Sequence, residues 1–496
     1  MSSPVLPELW WRGVAANPAA PPGVLLRLLT ARAHVAWAAL CEERPLPPDV
    51  VEAVVAHPEW RIRRGFARNR HVGPEQRGRL VDDPHPLVRA ALAAGPRPRL
   101  GRAQALPDDV LETLLTARDD PTADRLLTAD EIRQELEISG QIPPSFRRRM
   151  LDHPNPELRK KAVGLWLWLT PGRRDALLAD PARVVRERAR ASSRILDPEA
   201  MEADLPEDGC HHRSLLLVNY AVSRTVAERC LAERRDLGAL ARNPHLPSGV
   251  VSRLARDPDP GVRERVAARA DLDPVLLAGL AQDPDSAVRT RAVLQPLPRS
   301  WPQRGAIDRV IGRTAESIGP VDEMFTEPGT SWYEACATSP HALMRRIAAT
   351  CPELPQELVR RLASDPDADV RHLLACNHPL APPDVLLDAF VAMPRQRPYL
   401  LTLPRLPRTG LHRLLDDEDS ELRALAAGDT GLAEPPVRLL ADPDPSVRRA
   451  AAAGPLLPLA LISSLLEAPE HAQGAAANPN LPPEELHALL DRSGLP

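Results

Sequence analysis

The chain has 496 residues, with 63 basic and 67 acidic side chains and a formal net charge of −4 at pH 7. This balance excludes a strong overall attraction to nucleic acid or to an anionic membrane. No apolar run is long enough to cross a bilayer, the first residues lack the features of a signal peptide, and the six cysteines are scattered without paired spacing. We therefore expect a soluble, cytoplasmic protein.

The N-terminal segment, 1–30, is predicted to be an irregular cap. Its run from Pro21 to Leu26 keeps the second half of a repeating unit that is clearer further along the chain. Trp10 and Trp11 are expected to seal the first repeat, since a terminal unit has one face in water.

A regular array is predicted over 31–294 and again over 339–496, where a C-terminal cap closes it. Its main signature is Asp-Pro followed by Arg six positions after the Asp. It occurs at Asp83/Arg89, Asp180/Arg186, Asp257/Arg263, Asp283/Arg289, Asp365/Arg371 and Asp442/Arg448. The unit at Asp417/Arg423 has Glu in place of Pro. Those at His57/Arg63, His153/Arg159 and Ser339/Arg345 keep the Pro and the Arg.

The unit that begins at Asp365 predicts a pair of short helices. Asp365 is predicted to be the N-cap, with Pro366 at the first helical position, and Asn377 is predicted to end the helix in a left-handed conformation. Val370 and Leu374 recur at helical spacing and would form a buried stripe. The following Pro-Pro-Asp, ending at Asp384, predicts the start of the second helix.

A second signature, Leu near a Pro, gives the period of the array. It falls at Leu354, Leu380, Leu406 and Leu432, a step of 26 residues each time. A fixed period built from one helix pair is typical of a solenoid, because each unit must bury its apolar faces against its neighbours. The fold class expected is therefore all-α, an α-solenoid of two-helix repeats.

Three segments carry the pattern most clearly: NPNLPPEELHALLD at 478–491, LADPDPSVRRAAAAGP at 440–455, and 254–293. This repeat resembles the leucine-rich repeat variant family and, more loosely, the HEAT-like helical repeats. The resemblance covers most of the chain and implies a right-handed superhelix. Members of that family can carry an N-terminal cysteine cluster that holds an iron–sulfur centre, whereas here the first cysteine is Cys41 and none lies close to it. No cofactor is expected.

Two stretches interrupt the repeat pattern. The longest is 295–338, which holds Trp301, Trp332 and Tyr333 in a chain poor in aromatic residues. Because binding residues often lie where a repeat pattern is interrupted, these three are candidate interaction residues, although a plug that repairs the stacking explains them as well. The other stretch, 195–235, contains Cys210-His211-His212, whose adjacent side chains diverge and do not suit a closed zinc site.

Arginine dominates the basic residues, since Lys160 and Lys161 are the only lysines. The arginine of each Asp-Pro unit is expected to reach the next unit's Asp, or free backbone carbonyls, and so form a structural ladder. Arg147, Arg148 and Arg149 form an additional cluster, as do arginines near 61–70, 173–174, 186–190 and 234–235. These clusters could bind phosphates, or they could be solvated faces with acidic residues interleaved.

No Gly-rich phosphate loop, nucleophile elbow or HExxH helix is visible in the sequence. We therefore expect a non-catalytic scaffold that binds protein partners through an extended surface. The alternative is a nucleic-acid-binding, HEAT-like solenoid, with DNA processing as one such role, that uses arginine clusters in a concave groove. A third possibility is a small-molecule or metal-dependent enzyme with a pocket in 195–235 or 295–338. The sequence identifies no specific partner.

Overall fold

A computed structural model describes residues 6–97, 104–119, 127–247, 249–269, 271–294 and 328–495, together with residues 303, 306, 307 and 310. These residues form helices and turns, and no strand occurs among them. None of the helices in these ranges combines the length and the apolar character needed to cross a membrane. The chain is therefore all-α over the part that the structure describes.

The chain divides into two compact units. Unit 1 comprises Met1–Ile142 together with Pro355–Pro496, and unit 2 comprises Pro143–Leu354. The predicted cap at 1–30 lies in unit 1, and most of the predicted break at 295–338 lies outside the described residues. The first and last repeats pack on each other within unit 1.

The described residues in the first part of unit 1 form nine α-helices. They are α1 (Leu6–Ala16), α2 (Pro22–Arg27), α3 (Trp37–Cys41), α4 (Pro48–Val55), α5 (Trp60–Ala67), α6 (Pro74–Gly78), α7 (Pro86–Ala94), α8 (Asp108–Thr116) and α9 (Ala129–Ser139). A 3-10 helix covers Ala31–Ala36.

The described part of unit 2 contains fourteen named α-helices. They are α10 (Pro144–Arg149), α11 (Pro156–Ala162), α12 (Pro171–Leu178), α13 (Arg183–Ser193), α14 (Pro198–Asp204), α15 (His211–Asn219), α16 (Arg224–Glu233), α17 (Leu237–Arg242), α18 (Val250–Leu254), α19 (Pro260–Ala267), α20 (Pro274–Leu280), α21 (Ser286–Leu294), α22 (Thr330–Ala337) and α23 (Ala342–Ala348). Short 3-10 helices cover Met150–Asp152, Val163–Trp168 and Arg194–Leu196.

The second part of unit 1 contains nine more α-helices. They are α24 (Gln356–Ala363), α25 (Ala368–Asn377), α26 (Pro383–Ala392), α27 (Arg397–Leu400), α28 (Ser420–Ala427), α29 (Pro445–Ala452), α30 (Leu459–Leu465), α31 (Pro469–Ala476) and α32 (Pro483–Arg492). Here 3-10 helices cover Pro394–Gln396, His412–Leu414 and Val437–Ala441.

Alternate helices pack side by side into rows. In unit 2, α15, α17, α19 and α21 follow one another in this way. In unit 1 the row runs α29, α31, α1, α3, α5, α7 and α9, so that it passes from the C-terminal to the N-terminal part of the chain without a gap. In a second series of contacts, α32 packs on α2, and α2 packs on α4. The predicted caps at 1–30 and at the C-terminus therefore cover each other.

The helices of the Asp-Pro units begin two residues later than the sequence predicted. In the unit at Asp365 the N-cap is Asp367, whose carboxylate accepts the backbone N–H groups of Asp369 and Val370. The Asp365 carboxylate instead accepts the N–H of Asp367, so it shapes the loop before the helix. Asn377 is the last residue of α25, and the residue after it is extended, so the predicted left-handed end is wrong.

Small apolar side chains fill the core between the rows. In α29, Val447, Ala451 and Ala452 are buried, and in α25 the predicted stripe residues Val370 and Leu374 are fully buried. Alanine and glycine at these positions let neighbouring helices approach closely. A Cβ added to Gly474 of α31 would lie 2.2 Å from the carbonyl oxygen of Arg449, so glycine is required there.

Candidate functional site

The arginines of the repeat units join consecutive repeats. Arg263 donates from Nη1 to the carbonyl oxygen of Asp257 at 2.7 Å, six residues earlier. Its Nε and Nη2 atoms donate to the carboxylate of Asp283 at 2.7 and 2.8 Å. The same two-sided contact occurs at Arg63–Asp83, Arg159–Asp180 and Arg423–Asp442. The carboxylate partner thus lies 19 to 21 residues downstream, in the next repeat.

Other arginines of the series make the carbonyl contact six residues back. They are Arg89, Arg186, Arg289, Arg345, Arg371 and Arg448. In the irregular stretch 195–235 the contact is preserved by different residues, because Arg213 donates to Asp236 and Arg234 donates to Asp257.

These ion pairs hold the aspartates in their charged form. The hydrogen bond from Arg159 lowers the pKa of Asp180 below its ordinary value, and the hydrogen bond from Arg263 has the same effect on Asp283. Each aspartate also accepts the backbone N–H two residues further on, as Asp283 does from Asp285. The charged side chains of these Arg–Asp pairs are therefore already engaged in contacts between consecutive repeats.

A second series of contacts, which the sequence reading missed, uses buried asparagines. Asn478 is fully buried, and its Nδ2 donates to the carbonyl oxygens of Ala452 and Gly454 in the preceding repeat, at 3.1 and 2.8 Å. Asn69 and Asn243 make equivalent contacts. In the sequence these asparagines each lie three residues before a Leu or a Val, as in NPNLPP. This spacing could have indicated a repeated role, but it does not show that the amide is buried.

Different side chains take this role where the asparagine is absent. Arg44 donates to the carbonyls of Ala15 and Asn17, and Arg269 donates to those of Ala241 and Asn243. Between α7 and α9 the role falls to Gln141, whose Nε2 donates to the carbonyls of Leu92 and Ala93.

Gln141 also contacts a buried arginine. Its Oε1 accepts one hydrogen bond, at 3.0 Å, from Nη1 of Arg77, whose side chain is fully buried and whose Nε has no partner. No carboxylate of the described residues pairs with Arg77, and burial lowers its pKa to about 10. Arg77 is thus a desolvated cation held by a neutral amide.

Exposed arginines form further pairs between repeats. Their carboxylate partners lie 21 to 27 residues earlier in the chain. The pairs are Arg79–Glu52, Arg173–Asp152, Arg253–Glu228, Arg438–Asp416 and Arg492–Glu467. Such surface pairs contribute little stability individually, but they neutralise the basic side chains that a nucleic-acid surface would need.

The candidate interaction residues that the structure describes lie on two helices of unit 2, α22 and α10. Trp332 and Tyr333 are neighbours in α22, with ring centroids 5.2 Å apart in an edge-on arrangement. Tyr333 is buried, whereas Trp332 is half-buried. Trp301 lies outside the described residues. Arg147, Arg148 and Arg149 end α10, and the guanidinium of Arg149 lies 5.7 Å from the ring of Phe146.

A cavity of about 730 Å³ lies in unit 1 between the loop before α7, helix α8 and the start of α9. Its walls include apolar residues and both signs of charge, among them Asp82, Asp83, Pro84, Pro86, Arg89, Glu112, Leu114, Arg118, Asp119 and Ile132. We call this space the α7–α9 cavity.

Beside the cavity a pair of stacked rings lies partly exposed. Trp60 begins α5, and its ring stacks on that of His85 with centroids 4.2 Å apart and planes 9° from parallel. The guanidinium of Arg61 lies 5.2 Å from the Trp60 ring. His85 directly precedes Pro86 of the cavity wall and caps α7 by accepting the N–H of Leu87. We call Trp60, Arg61 and His85 the Trp60 surface.

Metal-binding geometry is absent among the described residues, where no three His, Cys, Asp or Glu side chains are grouped so as to hold an ion. Cys210 is exposed, and His211 and His212 begin α15. No protein-family model and no curated protein matches this sequence.

Proposed function

We propose that this chain is a non-catalytic repeat scaffold that binds protein partners, built as a right-handed α-solenoid of leucine-rich-repeat-variant-like or HEAT-like units. The packing of alternate helices into rows supports the solenoid, because each repeat contacts the one before it and the one after it. The arginine and asparagine contacts support it further, since they repeat at the period of the array.

The observation that carries the proposal is the Trp60 surface beside the α7–α9 cavity. Tryptophan and arginine are the residue types that contribute most to protein–protein affinity, above all where an aromatic anchor lies next to a recess. Here a tryptophan ring is held rigidly by its stack on His85, with a guanidinium against it and a cavity of about 730 Å³ alongside. A partner could bury the exposed part of the ring at low entropic cost, because the ring is already ordered.

The nucleic-acid alternative receives less support from the same residues. Arginines of several predicted clusters donate to carboxylates, as Arg173 does to Asp152 and Arg234 does to Asp257. A phosphate backbone would have to compete with these partners. The six cysteines, all free, support a location in the reducing cytoplasm.

A pull-down of the full chain from native lysate, divided into nuclease-treated and untreated halves, tests this function. We expect a protein partner that survives nuclease, that binds wild type in stoichiometric amount, and that is lost with Trp60→Ala. Arg438→Ala, an exposed substitution in the same unit, is the matched control and should retain the partner. Loss of all partners with nuclease, together with recovery of nucleic acid, would establish the alternative instead.

A further inference from the structure

Arg70 is a partly desolvated cation that lacks an acceptor. Its side chain is half-buried, its Nη1 atom is buried without a hydrogen-bond partner, and none of the described carboxylates forms an ion pair with it. Its contact is with an aromatic ring, because its Cζ lies 5.3 Å from the ring centroid of Tyr399. A ring face attracts a cation, but it does not accept the guanidinium's five N–H groups as a carboxylate would.

The backbone around Arg70 is held rigidly. Asn69 is fully buried and donates to the carbonyls of Cys41 and Arg44, while its Oδ1 accepts the N–H of His71. Tyr399 is also fixed, because its hydroxyl donates to the carbonyl of Cys376 at 2.8 Å. The unused donors of Arg70 therefore have a defined position.

One more basic group lies next to this contact. His71 follows Arg70, and burial together with the charge of Arg70 lowers the pKa of its ring. An anion bound to Arg70 would stabilise the charged form of this ring.

We propose that Arg70, with Tyr399 behind it and His71 beside it, forms a recess in unit 1 that binds an acidic side chain of a protein partner. A guanidinium pairs with a carboxylate through two parallel hydrogen bonds. Nε and Nη2 of Arg70 form no hydrogen bond with the described residues and, unlike Nη1, are not buried, so they can supply both. This proposal rests on the proposed scaffold function and names the chemistry of the partner.

A single carboxylate fits the surroundings better than a chain of phosphates. Glu43 lies beside His71, because the His71 ring forms a hydrogen bond with the backbone of Glu43. Together with the adjacent Glu42 it places negative charge near Arg70, which disfavours a run of several phosphates more than a single carboxylate.

Fluorescence anisotropy of the full chain tests the recess. The probes are a fluorescein-labelled, C-terminally amidated peptide of alternating Gly and Glu, its Gly-Ser counterpart with an amidated or a free C-terminus, and labelled hexathymidylate. We expect wild type to bind the Glu peptide and Arg70→Met to bind it at least about tenfold more weakly, as the loss of a charge-assisted hydrogen bond predicts. Arg438→Met removes the same charge from an exposed site and should leave the affinity unchanged.

Arg70→Lys keeps the charge but lacks the planar guanidinium, so its loss of affinity for the Glu peptide should be intermediate. This variant tests the proposal if Arg70→Met does not fold. Equal binding by wild type and Arg70→Met, or no binding of the Glu peptide by wild type, would overturn the proposal. So would tighter binding of hexathymidylate, or binding that requires a free C-terminus in place of Glu. A partner that is retained by Arg70→Met and lost with Trp60→Ala would overturn the recess while leaving the scaffold function intact.

Discussion

Unit 1 contains two joins between helices that can be compared directly. One is an ordinary join, in which α31 packs on α29 of the preceding repeat. The other is the join of the chain ends, in which α1 packs on α31. Asn478 donates to two carbonyls that are two residues apart, Ala452 and Gly454, and Asn17 donates in the same way to Ala476 and Asn478.

The two joins also have a glycine in equivalent close contact with the neighbouring helix. A Cβ on Gly474 would lie 2.2 Å from the carbonyl oxygen of Arg449, and one on Gly13 would lie 2.3 Å from that of Gln473. The join of the chain ends therefore has the register of an ordinary repeat, although no peptide bond crosses it. It differs in its additional contacts from Trp10 to the carbonyl of Leu466 and from Trp11 to Ser493. Packing and buried hydrogen bonds are thus sufficient to set the register.

Removal of residues 1–20 should have the largest effect on this comparison. It exposes the faces of α31 and α32 and removes buried side chains that include Trp10, Trp11 and Val14. We expect a loss on the order of 5 kcal/mol in the free energy of unfolding of unit 1, measured by denaturant titration with circular dichroism. An unchanged transition would show that the ends do not pack together in solution.

The glycine substitutions should have the next largest effect on stability. Gly13→Ala and Gly474→Ala each force a methyl group against backbone, at a cost of about 1–3 kcal/mol or more, measured by thermal unfolding. Gly23→Ala in α2 is the control, because the nearest atom to its added Cβ is 4.0 Å away, and this substitution should be neutral or slightly stabilising. A large effect at Gly474 with none at Gly13 would separate the two joins.

The asparagine substitutions test the buried hydrogen bonds. Asn478→Ala leaves the buried carbonyl of Ala452 without a donor, and Asn17→Ala leaves that of Ala476 without one. The second carbonyl at each site keeps one donor, the N–H of Leu457 or of Leu481. Each substitution should cost about 2–3 kcal/mol. Because the two sites are geometrically alike, we expect the two losses to agree within the error of the unfolding measurement. If Asn17→Ala costs much less, α1 separates from α31 before the rest of the unit unfolds, and hydrogen exchange in α1 would show that opening.

At the join between α7 and α9, Gln141 takes the place of the buried asparagine. Gln141→Ala should cost about as much as the asparagine substitutions, roughly 2–3 kcal/mol. Arg77→Met should change stability by less than about 1 kcal/mol, since loss of its hydrogen bond is offset by removal of an unpaired buried charge. A strongly destabilising Arg77→Met would mean that the cation is needed by a group besides Gln141.

A pH titration should give the smallest effect. His471 lies in α31, and burial, together with the charge of Arg448, lowers its pKa, although Glu470 acts in the opposite direction. Because the pKa is lower in the folded state, this contribution to stability is present above about pH 6.5 and is lost as the pH falls through the folded value. His471→Gln should therefore reduce the decrease in Tm between pH 7.5 and pH 5, and an identical decrease in both proteins would contradict this assignment.

Much of the local structure could be predicted from the sequence. The 26-residue step and the spacing of Val370 and Leu374 indicated short helices with one buried face, because helical periodicity is a property of neighbouring residues. The cap position was predicted two residues too early, since Asp365 and Asp367 are both suitable caps. The choice between them depends on the loop, in which the carbonyl of Asp365 accepts from Arg371.

The sequence also determined that each repeat needs neighbours, since one helix pair cannot bury its own apolar faces. The neighbour of each terminal repeat, in contrast, is set by how the helices pack in three dimensions. The contact between α1 and α31 joins residues more than 450 positions apart, and no local pattern encodes such a pairing. The same holds for the Trp60 surface and for Arg70 on Tyr399, because a side chain's partner across repeats is fixed by how the helices stack, which depends on the summed packing of many small residues.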